Sequence, residues 1–227
     1  MEEDTSSMSL DSYSQAGQDA FVIATYRAKR NGRFVDLGAG HPRNGSNSFV
    51  LERSLGWSGV LADIETRSQL EAERSPSNRI FGNAIADDVR AAILDIAQDG
   101  WIDFLSLDLE PPELSLLCLA SLPLDGVRFG LICCEHDLYR RSRSIKNAME
   151  GIFIARGYEK VADNVKMVST IKDIENGFKF VSVEDWWAHP SFVNVDEARE
   201  NARSAQAWSM DHERESVKSR GGFIVED

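Results

Sequence analysis

The chain has 227 residues, 42% of them hydrophobic, which is enough to bury one substantial core but little beyond a single domain. Its 25 basic residues stand against 37 acidic ones, a formal charge of −12. Like charges repel, so nucleic-acid backbones and anionic membrane surfaces are set aside as partners.

Taken in chain order, Met1-Glu2-Glu3-Asp4 is acidic with no apolar stretch behind it, the wrong pattern for a secretory leader, and a cytoplasmic protein is expected. Residues 1–12 carry only Met8 and Leu10 as apolar anchors and are expected to be a flexible segment. From Tyr13 to Val195, short apolar runs alternate with helical stretches, the pattern of parallel strands covered by helices. Strands are predicted at Arg33–Leu37, Gly59–Asp63, Arg79–Gly82, Ile102–Asp108, Gly130–Glu135, Tyr158–Ala162 and Phe178–Val183. Helices are predicted at Gln15–Lys29, Ser46–Leu55, Arg67–Glu73, Ala86–Ala97, Glu113–Leu119 and Ser142–Arg156, where apolar residues recur at three and four. Residues 196–227 form a charged extension in which Ala198, Ala202, Ala205 and Trp208 lie on a weak helical stripe. A homo-oligomer contact and a cover over the pocket are both open uses for it. Cys118, Cys133 and Cys134 form neither a Cys-x-x-Cys pair nor a disulfide ladder and read as reduced core thiols.

The informative local pattern follows the first strand. Asp36-Leu37-Gly38-Ala39-Gly40-His41-Pro42 is a strand, a glycine turn and, from Ser46, a helix, in which backbone amides can approach a ligand closely. About 25 residues further on, Asp63 closes the second strand where an acid commonly holds ribose hydroxyls. A nicotinamide dinucleotide is a poorer match, since the sixth position from Gly38 is Arg43 rather than a small residue.

Five strings carry a resemblance to a known family: Ser14-Gln15-Ala16-Gly17-Gln18-Asp19, Phe34-Val35-Asp36-Leu37-Gly38-Ala39, Ser46-Asn47-Ser48-Phe49, Leu55-Gly56-Trp57-Ser58-Gly59, and Ile102-Asp103-Phe104-Leu105-Ser106-Leu107-Asp108-Leu109-Glu110. Their order and spacing resemble the FkbM-type S-adenosylmethionine-dependent methyltransferases, which methylate oxygen atoms on sugars, polyketides and related acceptors. The resemblance implies a doubly wound, mostly parallel seven-stranded α/β sheet of the Rossmann-like class I methyltransferase type, its last strand antiparallel. It also implies S-adenosylmethionine as cofactor and a small-molecule hydroxyl as acceptor. By position, Gly38 and Gly40 face the methionine end, Asp63 the ribose, and Asn83 and Ala84 the adenine edge. Gln15, Gln18, Ser46 and Asn47 line the pocket, and Asp36 and Asp108 complete the set. Gly40-His41-Pro42 and Pro111 depart from the family pattern, which keeps a catalytically degenerate, cofactor- or partner-binding fold as the alternative.

A hydroxyl must lose its proton to attack the sulfonium methyl, either to a general base or with help from a divalent cation. Strands four and five are neighbours in such a sheet, so Asp108 and Glu110 converge with Glu135, His136 and Asp137 at its carboxyl edge. Asp108, Glu110 and His136 are the expected catalytic residues. Asp108, Glu135 and His136 are the expected ligands of a Mg or Mn ion, which oxygen donors favour over Zn. Trp186 and Trp187 are either a platform for an acceptor ring or core packing.

Overall fold

The structure is a computed structural model that describes residues 11–140, 143–171 and 175–225. The flexible segment expected at residues 1–12 therefore lies mostly outside the described residues. Eight strands form one sheet: β1 (Arg33–Leu37), β2 (Ser58–Ala62), β3 (Arg79–Phe81), β4 (Trp101–Leu107), β5 (Arg128–Glu135), β6 (Glu159–Thr170), β7 (Gly177–Ala188) and the two-residue β8 (Phe223–Ile224). Their order is β3-β2-β1-β4-β5-β7-β6, with β8 on β7. The first five strands are parallel, and β7 runs antiparallel beside β5. This is the expected doubly wound, mostly parallel sheet with its antiparallel strand. β8 is an addition that two residues of sequence could not signal.

The period of two along each strand divides the core. Val35, Leu37, Leu105 and Leu107 face α4 (Asp87–Ile96), α5 (Pro112–Ser121) and α6 (Arg143–Ile154). Phe34, Leu61, Phe104 and Trp186 face the other layer, α1 (Gln18–Thr25), α2 (Phe49–Leu55), α3 (Arg67–Glu73) and α7 (Val195–Ser219). Phe34 and Phe104 are completely buried, each worth about 1.5–3 kcal/mol of transfer free energy. Trp186 and Trp187 are buried as well, so they pack the core and offer no platform. All three cysteines are free and buried.

Two features position the site. The chain order reverses between β1 and β4, where neighbouring strands are followed by helices on opposite faces and a crevice opens at their carboxyl ends. The hairpin of β6 and β7 is longer than predicted: β7 pairs with β5 only from Glu184 to Ala188, so Gly177–Val183 reach past the end of β5 at Glu135. The upper part of α7 climbs beside that hairpin and leads into β8. α7 packs through Ala198, Ala202 and Ala205, small residues that let the α1 entrance approach so closely that a Cβ on Gly17 would lie 2.8 Å from the Ala205 carbonyl.

Candidate active site

The glycine turn is built by three strands at once. Gly38, in the left-handed region at φ +85°, is so close to β4 that a Cβ would sit 1.6 Å from the Asp108 carbonyl oxygen. Asp108 N–H donates to the Leu37 carbonyl at 2.8 Å, and the Gly38 and Ala39 amides donate to the Ala62 carbonyl. Gly40, at φ +57°, has nothing within 4 Å of a Cβ position, leaving room beside its backbone for a ligand. Asp63 fastens the turn from the β2 side. Its Oδ2 accepts from Gly40 N–H at 3.0 Å and its Oδ1 from the Glu65 and Thr66 amides, while the Thr66 hydroxyl donates to the Gly40 carbonyl at 2.6 Å.

A cavity of about 350 Å³ opens here, lined by Gly38, Gly40, Asp63, Asn83, Ala84, Asp108 and Glu110 among others, within the size range of small-ligand sites. Ile64 and Leu114 also line it. Ile64 is 79% exposed, a bare apolar side chain beside the acid, suited to covering a flat heterocycle. Ile64, Thr66 and Ile85 were not singled out by the sequence. An apolar residue next to the strand-ending Asp63 is the signal that would have found the first of them.

The other residues expected to contact cofactor lie behind or beside this crevice. Asp36 is buried and accepts from the Ser48 hydroxyl at 2.5 Å, and Ser48 in turn accepts from Arg74, which pairs with the buried Glu52 at 2.8 Å. Burial pushes the Asp36 carboxyl up, against the hydrogen bond from Ser48. Ser46 Oγ accepts from the Phe49 amide at the start of α2, and Asn47 Nδ2 donates to Ser106 Oγ on β4 at 2.9 Å. Gln18 is buried and donates to Glu184 at 2.7 Å. Gln15 lines a separate groove against α7. Asp36, Ser46, Asn47 and Gln18 thus brace the turn and its surroundings from below.

At the adjoining ends of β4 and β5, acids converge. Glu110, Glu135 and Asp137 each offer an oxygen within 4.8 Å of the others, and Asp108 shares a hydrogen bond with Glu135. Burial, then the neighbouring Asp108 and Asp137, pushes Glu135 up to about 12. Asp108 is pushed up to about 6, by burial first and then by the charges around it, with the Glu135 hydrogen bond opposing. Burial and mutual repulsion therefore keep one proton shared by the pair at neutral pH. Among the described residues, Arg140 places a cation at the rim, 2.7 Å from Glu110 and 3.2 Å from Asp137.

His136 does not join these acids. Its Nε2 meets Asp185 Oδ1 at 3.2 Å and its Nδ1 accepts from the Leu138 amide at 3.2 Å, so both ring nitrogens are engaged away from the crevice. The cause is β7, which passes beside β5 and brings Asp185 within reach. Asp185 also takes Lys146 and Lys160, each at 3.0 Å. Burial alone would raise its carboxyl, but His136, the Asn164 amide and Lys146 hold it well below the usual carboxylate range. Asp137 takes the place expected of His136. It has left-handed backbone, φ +46°, and its amide shares the Val183 carbonyl with that of His136.

No family model matches the chain, and the curated proteins contain no match to it. Among solved structures it is similar to an O-methyltransferase from Bacillus cereus in complex with S-adenosylhomocysteine, at 15% identity over 79% of this chain and 81% of that one, TM-score 0.45. A precorrin-6y C5,15-methyltransferase from Geobacter metallireducens is similar at 16% identity over 75% and 86%, TM-score 0.46. A structure described as a putative rRNA methylase, from Clostridium thermocellum, is similar at 12% identity over 79% and 97%, TM-score 0.45. Likenesses of this size concern the course of the chain and say nothing of acceptor or reaction.

Proposed function

We propose that the chain is an S-adenosylmethionine-dependent O-methyltransferase of the FkbM type, acting on a hydroxyl of a small molecule, a sugar or other natural-product or polysaccharide acceptor. The observation that carries this reading is the crevice itself: a glycine turn pressed on β4 at Gly38 and open at Gly40, tied to Asp63, beside a cluster of carboxylates. Gly40, Asp63 and Asn83 would hold the polar parts of S-adenosylmethionine, and Ile64 and Leu114 would cover its adenine. When bound, its sulfonium supplies an electrophilic methyl carbon.

The chain's own part is to orient the acceptor and take its proton. Asp108 stands at the crevice wall beside Glu135, and the two carboxyls share a proton, so Asp108 is the general base of this reading. Glu110, Glu135 and Asp137 are oxygen donors spaced for one Mg or Mn ion, which would displace the proton from Glu135 and acidify a bound hydroxyl. In this assignment His136 positions the turn that carries Asp137. Carboxylates at the crevice and a charge of −12 favour an uncharged hydroxyl over a nucleic acid. No helix among the described residues is long and apolar enough to cross a membrane.

Calorimetry with S-adenosylmethionine and its demethylated product tests the reading. Binding in the roughly micromolar range is expected, weakened at least about tenfold by Asp63→Ala. Absence of heat with either compound, at protein whose folding is verified, sinks it. Binding without turnover on any hydroxyl acceptor would move the chain to the degenerate, cofactor-binding class.

A further inference from the structure

A second cavity lies apart from the crevice, a groove of about 780 Å³ between residues 11–15, α1 and the upper part of α7, with Tyr13, Gln15, Ile23, Trp208, His212 and Glu213 on its walls. Its floor reaches Gly45, where Ser14 bridges to the loop that follows the glycine turn. The groove therefore belongs to the same carboxyl edge of the sheet as the crevice.

Trp208 sets its chemistry. Three of the five tryptophans are buried and Trp101 is half-buried and stacked on Phe192, whereas Trp208 is 47% exposed. His212, one turn on, stacks against it with centroids 5.5 Å apart and planes at 12°, which fixes the indole without covering it. Around this fixed ring stand hydrogen-bonding groups without work to do in the fold. Among the described residues, the side chains of Asp11, Gln15 and Glu213 have no hydrogen-bond or ion-pair partner, although all three line the groove.

A flat apolar face ringed by water-facing acceptors and an amide matches a ligand with the same division, an apolar C–H face and hydroxyls at its edge. An anionic ligand would meet Asp11 and Glu213 in a chain already at −12. A wholly apolar one would strip water from these groups and return no hydrogen bond. We propose that this groove binds a neutral saccharide, stacked on Trp208 and hydrogen-bonded by Gln15, Asp11 and Glu213, and that it holds the non-reacting part of the acceptor. The saccharide contact stands on the groove alone; its role as acceptor site rests on the proposed function. A volume toward the upper end of small-ligand sites suits more than one sugar ring.

The test uses the full chain, titrated with cellohexaose, maltohexaose, mannohexaose and chitohexaose, and with adenosine and uridine as stacking controls. It is read by saturation-transfer NMR and by tryptophan fluorescence. A saturable signal with at least one hexaose is expected, weakened about tenfold or more in Trp208→Ala and within about threefold of wild type in Trp208→Phe. S-adenosylmethionine binding and the melting temperature of Trp208→Ala should be unchanged, since the side chain lies outside the crevice and the core. Failure of every hexaose below roughly 10 mM, survival of binding in Trp208→Ala, or binding of the nucleosides alone overturns the proposal. Saccharide binding in a protein that ignores S-adenosylmethionine would sink the proposed function and leave the groove assignment standing.

Discussion

Glu184 shows how a single buried group ties the site to the stability of the whole. It lies opposite Glu135 on β7 and accepts hydrogen bonds from Gln18 and from the Trp186 indole, at 2.7 and 2.8 Å. Burial nevertheless wins, and with the nearby Asp108 charge it pushes the carboxyl up to about 8. A folded pKa above the unfolded one means that the native state binds the extra proton. The stabilisation is complete below the unfolded value near 4.5 and is lost as pH rises through about 8, at up to about 1.4 kcal/mol per pH unit. Asp108 adds a slope of the same sign lower down, ending near 6. Urea unfolding of Glu184→Gln at pH 6.5 and 8 should therefore show a smaller loss of stability than wild type over the same interval. An identical loss in both would mean that Glu184 is not the group holding the proton. The sequence marked Gln18 without pairing it to Glu184, because nothing local says that residues 166 positions apart will meet.

At the scale of elements, α7 depends on its ends and on a thin stripe of small residues. Asn194 accepts from the Asp196 and Glu197 amides and caps the first turn. Asn194→Ala should cost about 1 kcal/mol and lower the melting temperature by roughly 2–4 °C. Hydrogen exchange should quicken in residues 195–200 before anywhere else in the helix; uniform quickening would mean that tertiary packing, rather than the cap, holds this end. The stripe Ala198, Ala202, Ala205 was readable from its spacing. The extent of β6 and β7 was not: β6 was expected only over Tyr158–Ala162, because beyond it the strand carries mixed residues such as Lys166 and Ser169, and β7 only over Phe178–Val183, because Glu184 and Asp185 end the apolar run although the strand continues to Ala188. Bulges between Lys160 and Lys166 break the alternation further. His136 stands apart from the acids for a related reason. Adjacent residues at a strand end point to opposite faces, and the left-handed turn at Asp137 decides which of them returns to the crevice.

For the molecule as a whole, charge sets the partner. With a net −12 spread over 227 residues, single-stranded or duplex RNA should show no measurable retention in a gel-shift titration at ~150 mM salt. Tight, salt-sensitive RNA binding would overturn the small-molecule reading. Much of the architecture was decided by the sequence alone: the strand, glycine turn and helix at Gly38, the acid Asp63, and the alternation of apolar strands and amphipathic helices are local patterns, fixed by backbone sterics and by the burial of one face. Tertiary structure alone decided which acids meet. Asp108, Glu110, Glu135 and Asp137 come from two strands that are sequentially apart, His136 is drawn off by Asp185 on a third, and the Trp208 groove exists only because α7 returns across α1. Such long-range meetings depend on strand register and helix packing, whose energies are summed over the whole core and are written in no single stretch of chain.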